Sequence, residues 1–184
     1  MGLVKIDGGP KGVYNFEVTD NINGLIEAAK YKQSSGSASR LMTLLKADLS
    51  DANILVHSDS LGNEVTEWVY KMGLWYGAMF PAFTVNYYLW DDTAVNYEAA
   101  TQIQAGTGTN TLNIYNFSNP GKATEYIQGS RFAAACLNIP DCDLVYINHG
   151  KNMFAGLPVS DTAKLRTPRF VIPSAQILDR HANA

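Results

Sequence analysis

Three short polar stretches hold the residue types that could do chemistry together. They are His57-Ser58-Asp59-Ser60-Leu61-Gly62-Asn63, Asn116-Phe117-Ser118-Asn119-Pro120-Gly121-Lys122 and Asn148-His149-Gly150-Lys151-Asn152. Each contains a glycine and follows a β-like run. Between them they offer a serine hydroxyl, backbone amides beside small residues and an amide side chain. Acyl transfer needs these parts: a nucleophile, and donors aimed at the oxyanion that develops on the attacked carbonyl. A serine nucleophile also needs a base to take its proton. The chain has three histidines. His57 precedes the first stretch; strand alternation projects it opposite Ser58, and it reads as a packing residue. His149 abuts the third stretch. His181 follows Asp179 by two residues. Each candidate also has a plainer reading. Asp59 and Ser60 can cap the following helix, Gly121 after Pro120 can be a turn glycine, and Asn152 can satisfy loop backbone groups.

The elements that must position these residues follow from the rest of the chain. With 184 residues, 46% hydrophobic and 17% charged, it reads as a globular protein with one main domain. The soft boundary is Gln33-Ser34-Ser35-Gly36-Ser37, which divides an arm or linker over residues 1–38 from a domain over 39–184. A net charge of −3 lacks the basic footprint of a nucleic-acid binder. No apolar run approaches the roughly 18 residues that span a bilayer, so no membrane insertion is expected. The start, Met1 to Gly12, lacks the apolar core of a signal peptide. Cys136 and Cys142 form no Cys-x-x-Cys pair; they read as buried thiols, and no zinc site is expected.

Residues 1–19 read as one or two short strands, and Asp20 to Ala29 as a short helix. Ser39 opens a second helix with Leu41, Leu44 and Leu45 on one face. Ala52 to Val56 is the first core strand, apolar enough to be buried on both faces of a parallel sheet. A helix is expected over residues 63–80, with Val65, Trp68, Val69, Met72, Trp75, Tyr76 and Met79 at helical spacing and both tryptophans in the core. Gly73 and Gly77 share a face that another backbone can approach. Thr84 to Trp90 is the second strand. Tyr97 to Gln104 and Thr111 to Tyr115 read as an inserted hairpin. Thr124 to Leu137 reads as a helix, Leu144 to Ile147 as the third core strand, and Phe170 to Leu178 as the fourth. Alternating strands and helices predict an α/β fold with a parallel sheet whose strand ends carry the site.

The three stretches resemble the sequence blocks of the SGNH hydrolases, or GDSL-type esterases, most closely the domains of phage tail and tailspike proteins. The resemblance spans roughly residues 50–155 and continues more weakly to about 178. It implies a three-layer α/β/α sandwich with a parallel, flavodoxin-like sheet, here with the hairpin inserted. It implies a serine esterase that removes O-acyl groups, commonly O-acetyl, from a carbohydrate through an acyl-serine intermediate. Ser60 matches the nucleophile. The amides of Ser60 and Gly121 and the side chain of Asn152 match the oxyanion hole. No metal or organic cofactor is implied. The expected partner is an acylated host surface polysaccharide, the place a virion tail or the extracellular space, and the tailspike assembly a homotrimer. The sequence departs from the family in three places: Ser58 replaces the glycine of Gly-Asp-Ser, Met153 follows Asn152 where aspartate is common, and no Asp-x-x-His block is found. Asp179 and His181 stand nearest to that block, with His149 as a substitute base. The competing reading is a glycan- or receptor-binding module of the same fold that has lost its base. A nucleotide or flavin binder is disfavoured, because the first loop is poor in glycine and Asp59 would repel a phosphate.

Overall fold

A computed structural model describes residues 2–7, 13–18, 37–149 and 172–181. The chain divides into two compact units, Met1–Arg40 and Leu41–Ala184. In the first, β1 (Gly2–Asp7) pairs antiparallel with β2 (Val13–Val18), Gly2 opposite Val18 and Asp7 opposite Val13. The expected helix over Asp20–Ala29 lies outside the described residues.

The second unit is α/β with a mixed, mostly parallel sheet. Its strands are β3 (Ala52–Ser58), β4 (Thr84–Asp91), β5 (Asn96–Tyr97), β6 (Thr101–Gln104), β7 (Thr111–Ser118) and β8 (Leu144–Asn148). The spatial order is β5-β4-β7-β3-β8, with β6 also pairing to β4. β4, β7, β3 and β8 are parallel to their neighbours, while β5 and β6 run antiparallel to β4. The helices among the described residues are α1 (Ser37–Ala47), α2 (Trp68–Met79), α3 (Ser130–Phe132) and α4 (Ile172–His181).

Alternation along the central strands divides the core in two, because successive strand residues face opposite sides. Ile54 and Val56 of β3 pack with Leu112 and Ile114 of β7, Leu41 and Leu45 of α1, and Val69 and Tyr76 of α2. Leu55 of β3 packs on the other side with Tyr115 and Phe117 of β7, Ile127, Ala135 and Ile177 of α4. A strand apolar on both sides stabilises the fold only in the middle of a covered sheet. That is why Thr111–Ser118 is not the arm of an inserted hairpin, as its sequence suggests. It is a parallel strand, paired to β3 on one side and β4 on the other. Only Asn96–Tyr97 and Thr101–Gln104 remain as the antiparallel insertion, along β4.

Other elements differ from expectation for local reasons. The helix expected over 63–80 begins at Trp68, because the Glu67 carboxylate accepts the Glu64 amide at 2.9 Å and holds the preceding residues as a loop. Trp75, Val65 and Met79 are exposed rather than core, while Trp68 packs edge-on against Tyr146. Gly73 and Gly77 face side chains, not backbone: Ile103 lies over Gly73, and Gln104 Nε2 donates to the Gly77 carbonyl at 2.6 Å. The helix expected over 124–137 is broken at Gly129, whose φ of 71° no helix accommodates. It becomes a 3-10 turn at Thr124–Ile127, the short α3, and a π turn at Ala133–Leu137. The expected fourth strand is α4 instead. Pro173 sits in its first turn, where a proline costs no hydrogen bond, and Pro173, Ser174, Ile177 and His181 form its buried face.

The loop after β6 is held by a close approach. Gly106 donates to Thr84 Oγ1 at 3.0 Å, and a Cβ there would stand 2.3 Å from the Phe83 carbonyl carbon and 2.4 Å from the Ala82 oxygen. These are backbone atoms and cannot rotate away. Gly106→Ala is expected to destabilise the protein by about 3 kcal/mol, the upper end for overpacking. Urea unfolding reads this directly, and a loss below about 1 kcal/mol would contradict the packing described.

Candidate functional site

The first two polar stretches meet at the carboxyl end of the sheet. Ser58 pairs in register with Ser118 of β7 and with Asn148 of β8, so all three strands end at one level. The Asn119 amide donates to the Ser58 carbonyl at 3.2 Å, tying the loop after β7 to the loop after β3. In the β3–α2 loop, Asp59 is buried, and its Oδ1 accepts the Leu61 amide at 3.0 Å. The Gly62 amide closes the turn onto the Asp59 carbonyl at 3.2 Å. Ser60 is carried at this turn, half-buried. Gly121, on the adjoining loop, has a φ of 72° and is exposed, with no atom of the described residues within 4 Å of where a Cβ would stand. The structure therefore brings the loops of Ser60 and Gly121 together. Asn152 lies outside the described residues.

Beneath the Ser60 loop, on the α2 side, is a buried polar cluster that the sequence did not single out. Asn116 Nδ2 donates to the Gly62 carbonyl at 2.6 Å and to the Tyr87 hydroxyl at 2.5 Å. Its Oδ1 accepts from Ser118 Oγ at 2.5 Å. Asn116 is fully buried, so this amide is the fixed strut under Gly62. Gly62 itself has no room for a side chain, since a Cβ would lie 2.8 Å from both Ser118 Oγ and Val69 Cγ2. Ser58 Oγ is buried here without a hydrogen-bond partner among the described residues. The signal for this cluster was an asparagine within the apolar run Ile114 to Phe117, where a buried amide must find partners.

On the opposite side of the sheet lie His57 and His149, with ring centroids 4.2 Å apart. His57 Nε2 is 3.0 Å from the Thr124 carbonyl, and its Nδ1 is 3.3 Å from His149 Nε2 and 3.4 Å from the Phe117 carbonyl. His57 thus does pack, tilted against Phe117 at 5.2 Å, yet both its ring nitrogens are engaged. Burial, and next the proximity of His149, lower its pKa to about 3. Burial lowers that of His149 to about 4. Both are neutral imidazoles near neutral pH.

Asp179 and His181 do not reach this end of the sheet. His181 Nδ1 accepts the amide of Cys142, and Asp143 beside it is hydrogen-bonded to Asn53, at the amino end of β3. Ser58 lies five residue steps along β3 from Asn53, about 17 Å at the usual strand rise. The reason is the docking of α4, whose buried face seats Ile177 in the core and whose Arg180 pairs with Asp141 before β8. Within this chain Asp179 is exposed, and His181 is a buried structural residue rather than the partner of Ser60.

The aromatic residues near the insertion pack inward. Trp90 is buried edge-on against Phe117 and Tyr97, and the Tyr97 hydroxyl donates to the Ala135 carbonyl at 3.1 Å. Tyr87 is buried, and Tyr88 stacks on Tyr115. Trp90 and Tyr87 are core, and Tyr88 and Tyr97 are half-buried against it. Cys136 and Cys142 are free buried thiols, and burial raises Cys136 to about 12. Among the described residues no three His, Cys, Asp or Glu side chains group as metal ligands would. No described helix is long and apolar enough to cross a membrane. No protein-family model, no curated protein and no solved structure matches this chain.

Proposed function

We propose that this chain is a serine esterase of SGNH type that removes O-acyl groups, with O-acetyl the first choice, from a carbohydrate. Ser60 attacks the acyl carbonyl, and the amides of Ser60 and Gly121, with Asn152, stabilise the oxyanion. The alcohol leaves, and water then releases the acyl group from Ser60. The observation that carries the reading is the placing of the block-bearing strands. β7 and β8 flank β3 in parallel register, so the loops after β3 and β7 adjoin and the third begins beside them. Counting only these three strands, the order is second-first-third, as a flavodoxin-like sheet begins. In this reading β4, with β5 and β6, is an addition at one edge, and the core clusters on both faces belong to a three-layer α/β/α sandwich. By its resemblance to tailspike domains, the proposal extends to a host surface polysaccharide as substrate, a virion tail as the location and a homotrimer as the assembly.

The test is acetate release from an activated acetyl ester and from acetylated polysaccharides. Ser60→Ala is expected to reduce the rate by at least about a thousandfold. Equal rates in the two proteins would reject Ser60 as the nucleophile. One observation favours a second reading: the Asp179–His181 pair stands at the far end of the sheet, as in a binding module that has lost its base. Saturable binding of an acetylated glycan with no Ser60-dependent cleavage would decide for that module.

A further inference from the structure

Tyr126 carries two cations over its ring. Arg131 Cζ stands 4.3 Å from the ring centre, and Lys122 Nζ 5.0 Å from it. The ring itself is held in place. Phe117 stacks on it at 5.8 Å, and its hydroxyl accepts from Asn119 Nδ2 at 3.0 Å. Asn119 is buried, and its backbone amide is the one that donates to the Ser58 carbonyl. The ring is thus tied to the end of β3, where the Ser60 loop begins. Lys122 follows Gly121 directly. The cluster therefore adjoins the stretch whose Gly121 amide the esterase reading places at the oxyanion.

Arg131 is restrained on two sides. Its guanidinium lies over Tyr126, and its Nε donates to Asp92 Oδ1 at 3.3 Å. Among the described residues nothing accepts from Nη1 or Nη2, and the side chain is 33% exposed. An arginine held at Nε with its outer edge open is a fork for a planar carboxylate, which accepts two parallel N–H bonds. Part of the ordering that binding normally demands of such a side chain is already done by the fold. The neighbouring charges select the kind of anion. Asp92 faces Arg131, and Glu125, three residues past Lys122, has its Oε2 buried. Two cations set among two carboxylates leave little net charge. That suits a monoanion held by directed bonds better than a dianionic phosphate. We propose that Arg131, with Lys122 beside it, receives a carboxylate of the carbohydrate, so that the preferred substrate is an O-acylated acidic sugar of the hexuronate class. The proposal rests on the esterase reading above and narrows its substrate. Arg131 holds the sugar chain and takes no part in the bond changes at Ser60.

The experiment uses O-acetylated oligogalacturonate and the same oligosaccharide with its carboxyl groups reduced to alcohols. The full chain is expected to show a kcat/KM at least about tenfold higher on the acidic form. Arg131→Gln should bring the ratio of the two values close to one. Arg131→Lys keeps the charge without the fork and should give a ratio in between. The ratio is the readout because damage to the fold slows both substrates together. Equal values for the two forms in the wild type, or an unchanged ratio in Arg131→Gln, would overturn the proposal while Ser60-dependent hydrolysis kept the esterase reading. Absence of Ser60-dependent hydrolysis on either form would overturn the esterase reading instead. Titration calorimetry of both oligosaccharides against the wild type and Arg131→Gln then decides the subsite alone. Tighter binding of the acidic form that depends on Arg131 would keep it as part of a binding module, and equal or absent binding would overturn it.

Discussion

Between about pH 6.5 and 4 the protein is expected to lose stability steeply, because burial holds all three of its histidines neutral. A histidine in an unfolded chain titrates near about 6.5. In the folded protein burial, then repulsion from His149, brings His57 down to about 3. Burial brings His149 to about 4, and burial with the nearby Arg180 does the same for His181. Through that interval the unfolded chain binds protons that the folded chain does not, so each step toward acid favours unfolding. Above about pH 7.5 neither state is appreciably protonated at these sites, and their contribution to the slope vanishes. His57 alone contributes about 1.4 kcal/mol per pH unit near pH 5, and the other two act in the same direction. Urea midpoints measured at about pH 8.5, 7.5 and 5 should therefore hold nearly level over the first step and fall sharply over the second. His57→Gln should remove about one proton from the uptake on unfolding at pH 5. A midpoint unchanged from pH 7 to 5 would contradict the burial of these rings.

Asn116→Ala should be among the most damaging single substitutions in the site region, although Asn116 touches no expected ligand. The truncation leaves the Gly62 carbonyl without its Asn116 donor and takes partners from the Tyr87 and Ser118 hydroxyls, in a place where Asn116 has no solvent exposure. A buried polar group stripped of its partner costs roughly 1–3 kcal/mol, so the expected loss is about 3–5 kcal/mol. Asn116→Asp should be at least as harmful, since it sets a buried carboxylate against the Gly62 carbonyl and supplies no donor. Differential unfolding in urea reads both. In the esterase reading, Asn116→Ala also lowers kcat in whatever fraction stays folded, because Gly62 closes the turn that carries Ser60. A stability loss below about 1 kcal/mol would mean that the amide is not the strut described.

What the sequence disclosed follows the range of the forces involved. β3 and β8 were legible because a short apolar run with polar loops after it is a local signal. That Ser60 and Gly121 lie on adjoining loops followed from reading both stretches as strand ends. β7 was misread because its place between β3 and β4 is a long-range choice, made by burying Leu112 and Ile114 on one side and Tyr115 and Phe117 on the other. The stretch from Val171 to Leu178 carries β-forming residues, yet seating Ile177 and His181 on one face favours a helix over residues 172–181. The position of His181 depends wholly on that docking, so nearness in sequence to Asp179 said nothing about nearness to Ser60. The pairing of His57 with His149 was beyond reach for the same reason, since it requires knowing that β8 lies beside β3.

The place of β7 also sets a timetable for assembly. β3 and β4 are consecutive parallel strands, yet neither pairs with the other; the slot between them belongs to β7. Residue Ala52 waits for Leu112, about sixty positions later in the chain. A nascent chain that has released β3, α2 and β4 therefore holds two strands with facing, unmatched backbone edges. No local pairing can close that gap, and closing it from a distance is slow. Until the β7 segment emerges, the unfilled slot accepts any extended segment that reaches it, including one from a neighbouring chain. That interval during synthesis is where misassembly is expected to begin.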